Sequence, residues 1–212
     1  MMNNASRWLS ISGLAFFLAL TCAPRAAARQ GDDLKAEATQ YLARHEPELR
    51  QTTSAAKKLH LLAYLSPAAF AAGDTEKARA YAEELMALGE ELKSKPRFGP
   101  TYYGRATHVG NIVLGYIALA VGDVGKAKEH LLAAAQVTGD PAVVSLGPDV
   151  VLAKELTERG EREAVVEYFE LCAKFWVPQR AELERWKEVV SQGGMPRFGR
   201  GYSRLNTWRF AR

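Results

Sequence analysis

The stretch LGYIALAVGDVGKAKEHLLAAA, from Leu114 to Ala135, decides the fold of this chain. Its apolar residues recur at helical spacing, and yet it contains Gly115, Gly122 and Gly125. A glycine inside a helix costs about 1 kcal/mol relative to alanine. We therefore interpret the stretch as two amphipathic helices, with Gly122 in the turn between them and Gly125 in the first turn of the second helix.

Similar turn phrases occur at three places in the sequence: AAGDTEKA at Gly73, AVGDVGKA at Gly122 and ERGEREAV at Gly160. In each phrase an acidic residue follows the glycine, and a new amphipathic pattern begins. Glycine favours the left-handed conformation that ends a helix, and an acid caps the next helix or interacts favourably with its dipole. The three phrases therefore predict three helix hairpins.

Positions at fixed distances from the three turn glycines share their character. Counting eight and seven residues before each glycine, and five and twelve after it, gives Leu65, Leu114 and Leu152; Ser66, Gly115 and Ala153; Ala78, Ala127 and Val165; and Leu85, Ala134 and Cys172. Small residues on facing helices allow two backbones to approach closely. We expect such an approach beside Gly115 and Ala127, and we expect Cys172 to be a core residue.

This pattern resembles the tetratricopeptide repeat, and the resemblance covers about residues 53–177. It is closest to the divergent repeats of small exported bacterial proteins. It implies an all-α fold of antiparallel helix hairpins, stacked as a short right-handed solenoid. The turn glycines are 49 and 38 residues apart, against the family's 34. The segments 94–105 and 139–147 are expected to form the extra loops.

Prolines bound several of the expected helices. A first helix, near Asp32–His45, is expected to end before Pro47, because proline breaks a helix interior. Pro67 lies within the next helical pattern, so that either a new helix starts there or the helix kinks. The first helix and the last, Ala181–Gln192, would cover the two ends of the stack with polar faces.

The beginning of the chain is typical of a secretory signal peptide. The apolar run Trp8–Ala23 is shorter than the ~20 residues that span a bilayer, and small residues precede Arg29. We expect residues 1–28 to be removed, which lowers the net charge from +4 to +2, and the mature domain to cover residues 29–194 of a periplasmic or secreted protein. The alternatives are a lipoprotein attached through Cys22 and an uncleaved membrane anchor.

Catalytic and metal-binding motifs are not evident in the sequence. The four histidines form no zinc motif and no i,i+4 pair, and Cys172 has no histidine nearby in the sequence. A site assembled across space is left open. The sequence predicts no catalytic residue, no bound metal and no cofactor.

The segment 195–212 is basic and aromatic. It holds five arginines and no acid, whereas the rest of the mature chain carries −3. One interpretation is that this tail folds back over the helices. Another is that it contacts an anionic surface, such as lipid or an acidic partner. Nucleic acid is not expected, because an exported protein seldom meets it and the net charge is small.

The function predicted is that of a non-catalytic scaffold that binds a protein or peptide; a helical enzyme and a self-assembling envelope protein are the alternatives. The repeat register implies a concave groove formed by the first helix of each hairpin. The groove residues and two loop tyrosines expected to close over them are Phe70, Ile112, Tyr116, Leu119, Lys154, Tyr102 and Tyr103, with His60, Ala63, Val150 and Thr157 on the same face. Aromatic anchors such as Phe70 and Tyr116 commonly carry most of the binding energy.

Overall fold

The computed structural model describes residues 22–96, 99–137, 143 and 147–198, with side chains from residue 31 onward. Within these ranges the regular structure is helical throughout and contains no strand, so the chain is all-α, as expected. The helices are α1 (Cys22–Gln51), α2 (Ala55–Ala71), α3 (Thr75–Leu92), α4 (Gly99–Ala120), α5 (Val124–Ala134), α6 (Val151–Glu158), α7 (Arg162–Cys172) and α8 (Arg180–Ser191), with one 3-10 turn at Val177–Gln179.

The three predicted hairpin turns have the same geometry. Gly73, Gly122 and Gly160 have φ values of 83°, 80° and 88°. In each turn the glycine N–H donates to the carbonyl three residues back, at 2.9–3.1 Å, and the next N–H donates to the carbonyl five residues back, at 2.9–3.0 Å. These paired bonds are a Schellman motif, which requires the left-handed conformation at the glycine. The predicted role of the turn glycines is confirmed.

The acids after the turn glycines cap two of the three following helices. The carboxylates of Asp74 and Asp123 each accept the backbone N–H three residues ahead, at 3.0 and 2.9 Å. Glu161 makes no such bond, and its Oε2 instead lies 2.7 Å from Nζ of Lys128 on α5. Capping is therefore confirmed for the two aspartates. Glu161 does not cap α7, so of its two expected roles only the interaction with the helix dipole is left, and its side chain ties α7 to the preceding hairpin.

The repeat register read from the sequence is reproduced in the core. All twelve positions counted from the turn glycines are buried, from Leu65 in α2 to Cys172 in α7. Consecutive helices pack against each other from α1 to α5 and from α6 to α8, and α2 also packs on α4 and α5 on α7. Each hairpin therefore contacts the next hairpin along the chain.

The closest of the predicted approaches occurs at Gly115 of α4. A Cβ atom at this position would lie 2.5 Å from Cδ2 of Leu152, 3.3 Å from Cβ of His130 and 3.6 Å from the carbonyl oxygen of Ala127. Leu152 and Ala127 are both fully buried. The expected approach beside Gly115 and Ala127 is confirmed.

Helix α4 lies at the centre of the molecule. Every residue from His108 to Leu119 is buried. Val113 and Ile117 belong to a hydrophobic cluster formed with α1–α3, whereas Ile112 and Tyr116 belong to a second cluster formed with α5–α8. The two clusters thus share one helix, which is apolar all round, as buried helices are.

Pro47 and Pro67 both lie inside helices. Helix α1 continues through Pro47 to Gln51, so the expected end before Pro47 is wrong. The carbonyl that Pro47 leaves without a helical partner belongs to Ala43, which is exposed to solvent, and Leu49 beyond it is buried in the core. Helix α2 is continuous across Pro67, so no new helix starts there.

The segment 94–105 does not form a loop throughout. Helix α4 begins at Gly99, so that Tyr102 and Tyr103 lie in its first turns. A Cβ at Gly99 would clash with the Lys93 carbonyl oxygen, so glycine allows α4 to start directly against the end of α3. The tyrosines expected on a mobile loop are held on a helix, which corrects the prediction that a loop carries them.

Both ends of the chain extend beyond the described residues. Residues 1–21, which include most of the expected signal peptide, and residues 199–212 of the tail lie outside them. Cleavage before Arg29 and lipidation at Cys22 stay predictions. The helices in the described part of the chain include none that is both long and apolar enough to cross a bilayer.

The buried His108 joins the second hairpin to the segment that leads into the third hairpin. His108 Nδ1 lies 2.8 Å from the carbonyl oxygen of Ala134, and the Asp149 N–H donates to His108 Nε2 at 3.1 Å. Both contacts are satisfied only by the neutral ring with its proton on Nδ1. The Tyr168 hydroxyl donates to the Asp149 carbonyl at 2.7 Å. This network joins α4, the end of α5, the segment before α6, and α7.

Substitution of His108→Phe should lower the free energy of unfolding by about 3 kcal/mol, because it leaves two buried backbone groups without partners. Urea denaturation followed by circular dichroism measures the change. A loss below about 1 kcal/mol would show that the two groups find other partners.

Substitution of Gly115→Val should destabilise the fold by about 1–3 kcal/mol through overpacking against Leu152. The control is Gly125→Ala, where the added Cβ would lie 3.6 Å from its nearest contact, Asp123 Oδ1. That control should gain up to about 1 kcal/mol of helix propensity. The midpoints of thermal unfolding of the two variants test this prediction. Equal midpoints would contradict the close approach at Gly115.

Candidate binding face

Several residues expected to line the open groove are inside the molecule. Ile112, Tyr116 and Leu119 are only 1%, 5% and 7% exposed, because α4 is covered on all sides. Ala63, Val150 and Thr157 are buried as well. An open groove lined by these side chains is therefore not what the structure has, and the prediction is corrected at these positions.

Phe70 and Tyr116 do meet, but as a core contact. Their ring centroids are 5.6 Å apart, and Phe70 packs against both hydrophobic clusters. The Tyr116 hydroxyl is buried without a hydrogen-bond partner among the described residues. Burial, with the charges of Asp149 and Glu155, raises the pKa of Tyr116 well above its usual value. This pair joins the two halves of the core.

Three further predicted groove residues, Lys154, Tyr102 and Tyr103, are at least partly accessible and lie on two different helices. Lys154 is exposed on α6 and forms an ion pair with Glu158. Tyr102 is half-buried against the first hydrophobic cluster. Tyr103 is half-buried, and its ring centroid lies 5.5 Å from Nζ of Lys93. The two tyrosines thus lie in the first turns of α4, whereas Lys154 lies on α6.

His60, which was expected on the groove face, belongs to a different accessible surface. We call this surface the histidine face; it consists of Tyr41, His45, Glu48, Lys57, His60, Tyr64 and Arg105 from α1, α2 and α4. Each of these side chains is partly or fully accessible. The face combines aromatic rings, two imidazoles, a carboxylate and two cations on adjoining helices.

Two Tyr–His pairs form the aromatic part of the histidine face. On α1 the rings of Tyr41 and His45 lie 4.3 Å apart, and on α2 those of His60 and Tyr64 lie 5.0 Å apart, edge to face. Residues four apart lie on the same side of a helix, which places each pair in contact. Burial first, then Tyr64 and Glu48, raises the pKa of Tyr41 to about 12, so its phenol stays neutral.

The charged part of the histidine face links the three helices. Glu48 on α1 has Oε1 2.8 Å from Nζ of Lys57 on α2, and its Oε2 lies 3.8 Å from His45 Nδ1. Nη1 of Arg105 on α4 lies 3.3 Å from Nδ1 of His60. A guanidinium can only donate, so the His60 ring is neutral and carries its proton on Nε2.

Sequence reasoning missed most of this face. The sequence predicts a capping helix that contains Tyr41 and His45 but ends before Pro47, which leaves Glu48 outside it, and it places Arg105 in a loop. The available signal was the spacing itself, because Tyr-x-x-x-His in α1 and His-x-x-x-Tyr in α2 both place a ring pair on one helix face.

The other titratable groups of the interior make packing and hydrogen-bond contacts within the fold. Cys172 is fully buried, as expected, and burial raises the pKa of its thiol well above the usual value, so the reactive thiolate is not formed. His130 Nδ1 lies 2.9 Å from Oδ1 of Asn111, whose amide donates to the Thr107 carbonyl. No group of three potential metal ligands converges anywhere in residues 31–96, 99–137, 143 and 147–198.

Substitution of Arg105→Gln should raise the pKa of His60 toward its ordinary value of 6.5. Burial is the largest cause of its lowered pKa, and the Arg105 charge is the second. Proton NMR titration of the imidazoles measures the change, with His130 as the internal control. Burial also lowers the pKa of His130, but Arg105 does not contribute there. An unchanged pKa of His60 in the variant would contradict the contact between Arg105 and His60.

The same lowered pKa gives the sign of the pH dependence. The unfolded chain binds more protons than the folded chain between the lowered folded pKa of His60 and its unfolded value near 6.5. The contribution of His60 to stability is therefore present above that window and is lost as the pH falls through it.

No protein-family model, curated protein sequence or solved structure matches this chain.

Proposed function

We propose that the protein is a non-catalytic scaffold that binds a protein or peptide partner through the histidine face. The observation that carries the proposal is the grouping of half-buried aromatic rings with paired charges on three adjoining helices. Tyrosine and arginine are enriched among the residues that dominate binding energy, because they combine a large apolar area with hydrogen-bonding groups.

The hairpins α2–α3, α4–α5 and α6–α7 are proposed to form a short right-handed stack of the tetratricopeptide-repeat kind. Support comes from three identical turn geometries, from the twelve buried register positions and from the packing of α2 on α4 and α5 on α7. In such a stack the first helices of successive hairpins present one continuous surface. His60 and Arg105 come from two of these first helices, and α1 extends the surface at one end.

The chemistry of the histidine face defines what a partner would supply. The rings of Tyr41 and Tyr64 suit apolar or aromatic side chains. Lys57 and Arg105 suit carboxylates, and Glu48 and His45 provide acceptors for amide or ammonium donors. A peptide with alternating apolar and acidic residues meets these requirements. A signal peptide at residues 1–28 would place this binding in the periplasm or outside the cell.

The test is selection of peptide ligands from a random display library by the purified chain, followed by calorimetric titration of the best peptide. Substitution of Tyr64→Ala or Arg105→Ala should weaken binding at least about tenfold, the loss expected for an interface residue worth about 1.4 kcal/mol. The matched control is Arg159→Ala, an exposed arginine that follows the last residue of α6 and is paired with Glu155.

Circular dichroism must show unchanged helicity in all three variants. Affinities that fall equally in the control and in the two face variants would remove the histidine face as the binding surface. A selection that yields no peptide above background would count against the scaffold function itself.

A further inference from the structure

A second surface, distant in sequence from the histidine face, lies between α7 and α8. The two helices leave an open groove of about 650 Å³. Its lining residues are Arg162, Glu163, Val166, Glu167 and Glu170 of α7 and Ser191 of α8. Three of its six side chains are therefore carboxylates, and they follow one side of α7 at helical spacing.

The carboxylates of this groove are incompletely neutralised. Oε1 of Glu170 lies 3.6 Å from Nζ of Lys187. Glu163 and Glu167 are exposed and form no ion pair within the described part of the chain. Like charges four residues apart on a helix repel each other. An occupant with cationic side chains would relieve this repulsion.

The groove also contains a buried donor that lacks an acceptor. Nε of Arg162 is buried without a hydrogen-bond partner among the described residues, although its Nη2 donates to the Gly193 carbonyl at 3.3 Å. A buried N–H without a partner is costly. Because this Nε is covered, a peptide carbonyl oxygen would satisfy it only after the Arg162 side chain turned toward the groove. The exposed carboxylates favour an occupant with cationic side chains, which an arginine-containing peptide carries.

The chain itself leads such a peptide to these two helices. After the turn at Gly193, the ring of Phe198 packs 5.0 Å from that of Trp186 on α8 and 6.2 Å from that of Phe169 on α7. The following residues, 199–212, contain Arg200, Arg204, Arg209 and Arg212 and no acid. Fourteen residues reach up to about 46 Å when extended, far more than the ~16 Å length of α7.

We propose that the chain's own C-terminal segment, residues 199–212, occupies the groove between α7 and α8. Its arginines pair with the carboxylates of Glu163 and Glu167. Each exposed ion pair is weak by itself. A short tether, however, gives the segment an effective concentration of about 1 mM, so that weak contacts suffice.

This inference is independent of the proposed peptide binding, since it concerns another surface. Its consequence is that the basic segment is sequestered by an acidic surface within the same molecule. Contact of the tail with an anionic lipid surface or an acidic partner would then require its release from α7.

The test is hydrogen–deuterium exchange of the full chain at low ionic strength, measured on the amides of residues 199–212. With an intrinsic dissociation constant near 0.1 mM, tethering should slow exchange by about tenfold relative to a free peptide of the same sequence. The groove variant carries Glu163→Gln, Glu167→Gln and Glu170→Gln. In it, exchange of the segment should return to the free-peptide rate.

The matched control carries Glu76→Gln, Glu83→Gln and Glu91→Gln, three exposed acids of α3. It changes the net charge of the chain equally and should leave the segment protected. Because every substituted residue is exposed, we expect both variants to fold. Addition of 1 M salt to the unmodified chain is the second measurement, and it should abolish the protection, since the Debye length falls to about 3 Å.

Three results would overturn the proposal. The first is exchange of residues 199–212 at the free-peptide rate in the unmodified chain. The second is protection that survives in the groove variant, which would place the segment elsewhere. The third is protection that disappears on dilution, which would mean that the segment binds a second copy.

Discussion

The tight packing of α5 and of the Leu152 side chain of α6 against Gly115 is the constraint on which the arrangement of helices depends. Helix α4 meets α5 beside Ala127 and α6 beside Leu152 at a point where even a methyl group would not fit without displacement. The turn at Gly122 is short, so α5 must return directly along α4. Hairpins that meet through small residues can bury a continuous core without long side chains, which is how a chain rich in alanine and leucine forms a dense interior.

Much of this arrangement could be predicted, because its determinants are local. A left-handed turn needs glycine, an aspartate at the following position caps the next helix, and residues at fixed distances from the turn must be small or apolar. These requirements leave a repeated signature around Gly73, Gly122 and Gly160. Burial of Cys172 followed from the same register, without any knowledge of what packs against it.

The environment of α4 could not be predicted in the same way. Spacing identifies the side of a helix that faces its own hairpin, but whether the other side is open depends on segments distant in sequence. The expected groove residues Ile112, Tyr116 and Leu119 belong to the second hydrophobic cluster together with residues of α5–α8, and this makes them core. The histidine face was missed for the related reason that it combines α1, α2 and α4. The expected end of α1 before Pro47 was wrong because the carbonyl that Pro47 leaves without a helical partner, that of Ala43, is exposed to solvent.

The position of α4 in both hydrophobic clusters has a consequence for how such a chain can evolve. Arrays of identical repeats gain and lose units by duplication and deletion, since each unit contacts only its neighbours. Here the middle hairpin supplies Val113 and Ile117 to one cluster and Ile112 and Tyr116 to the other. Excision of that hairpin would open both clusters at once, so the length of this chain is fixed in a way that the length of a regular array is not.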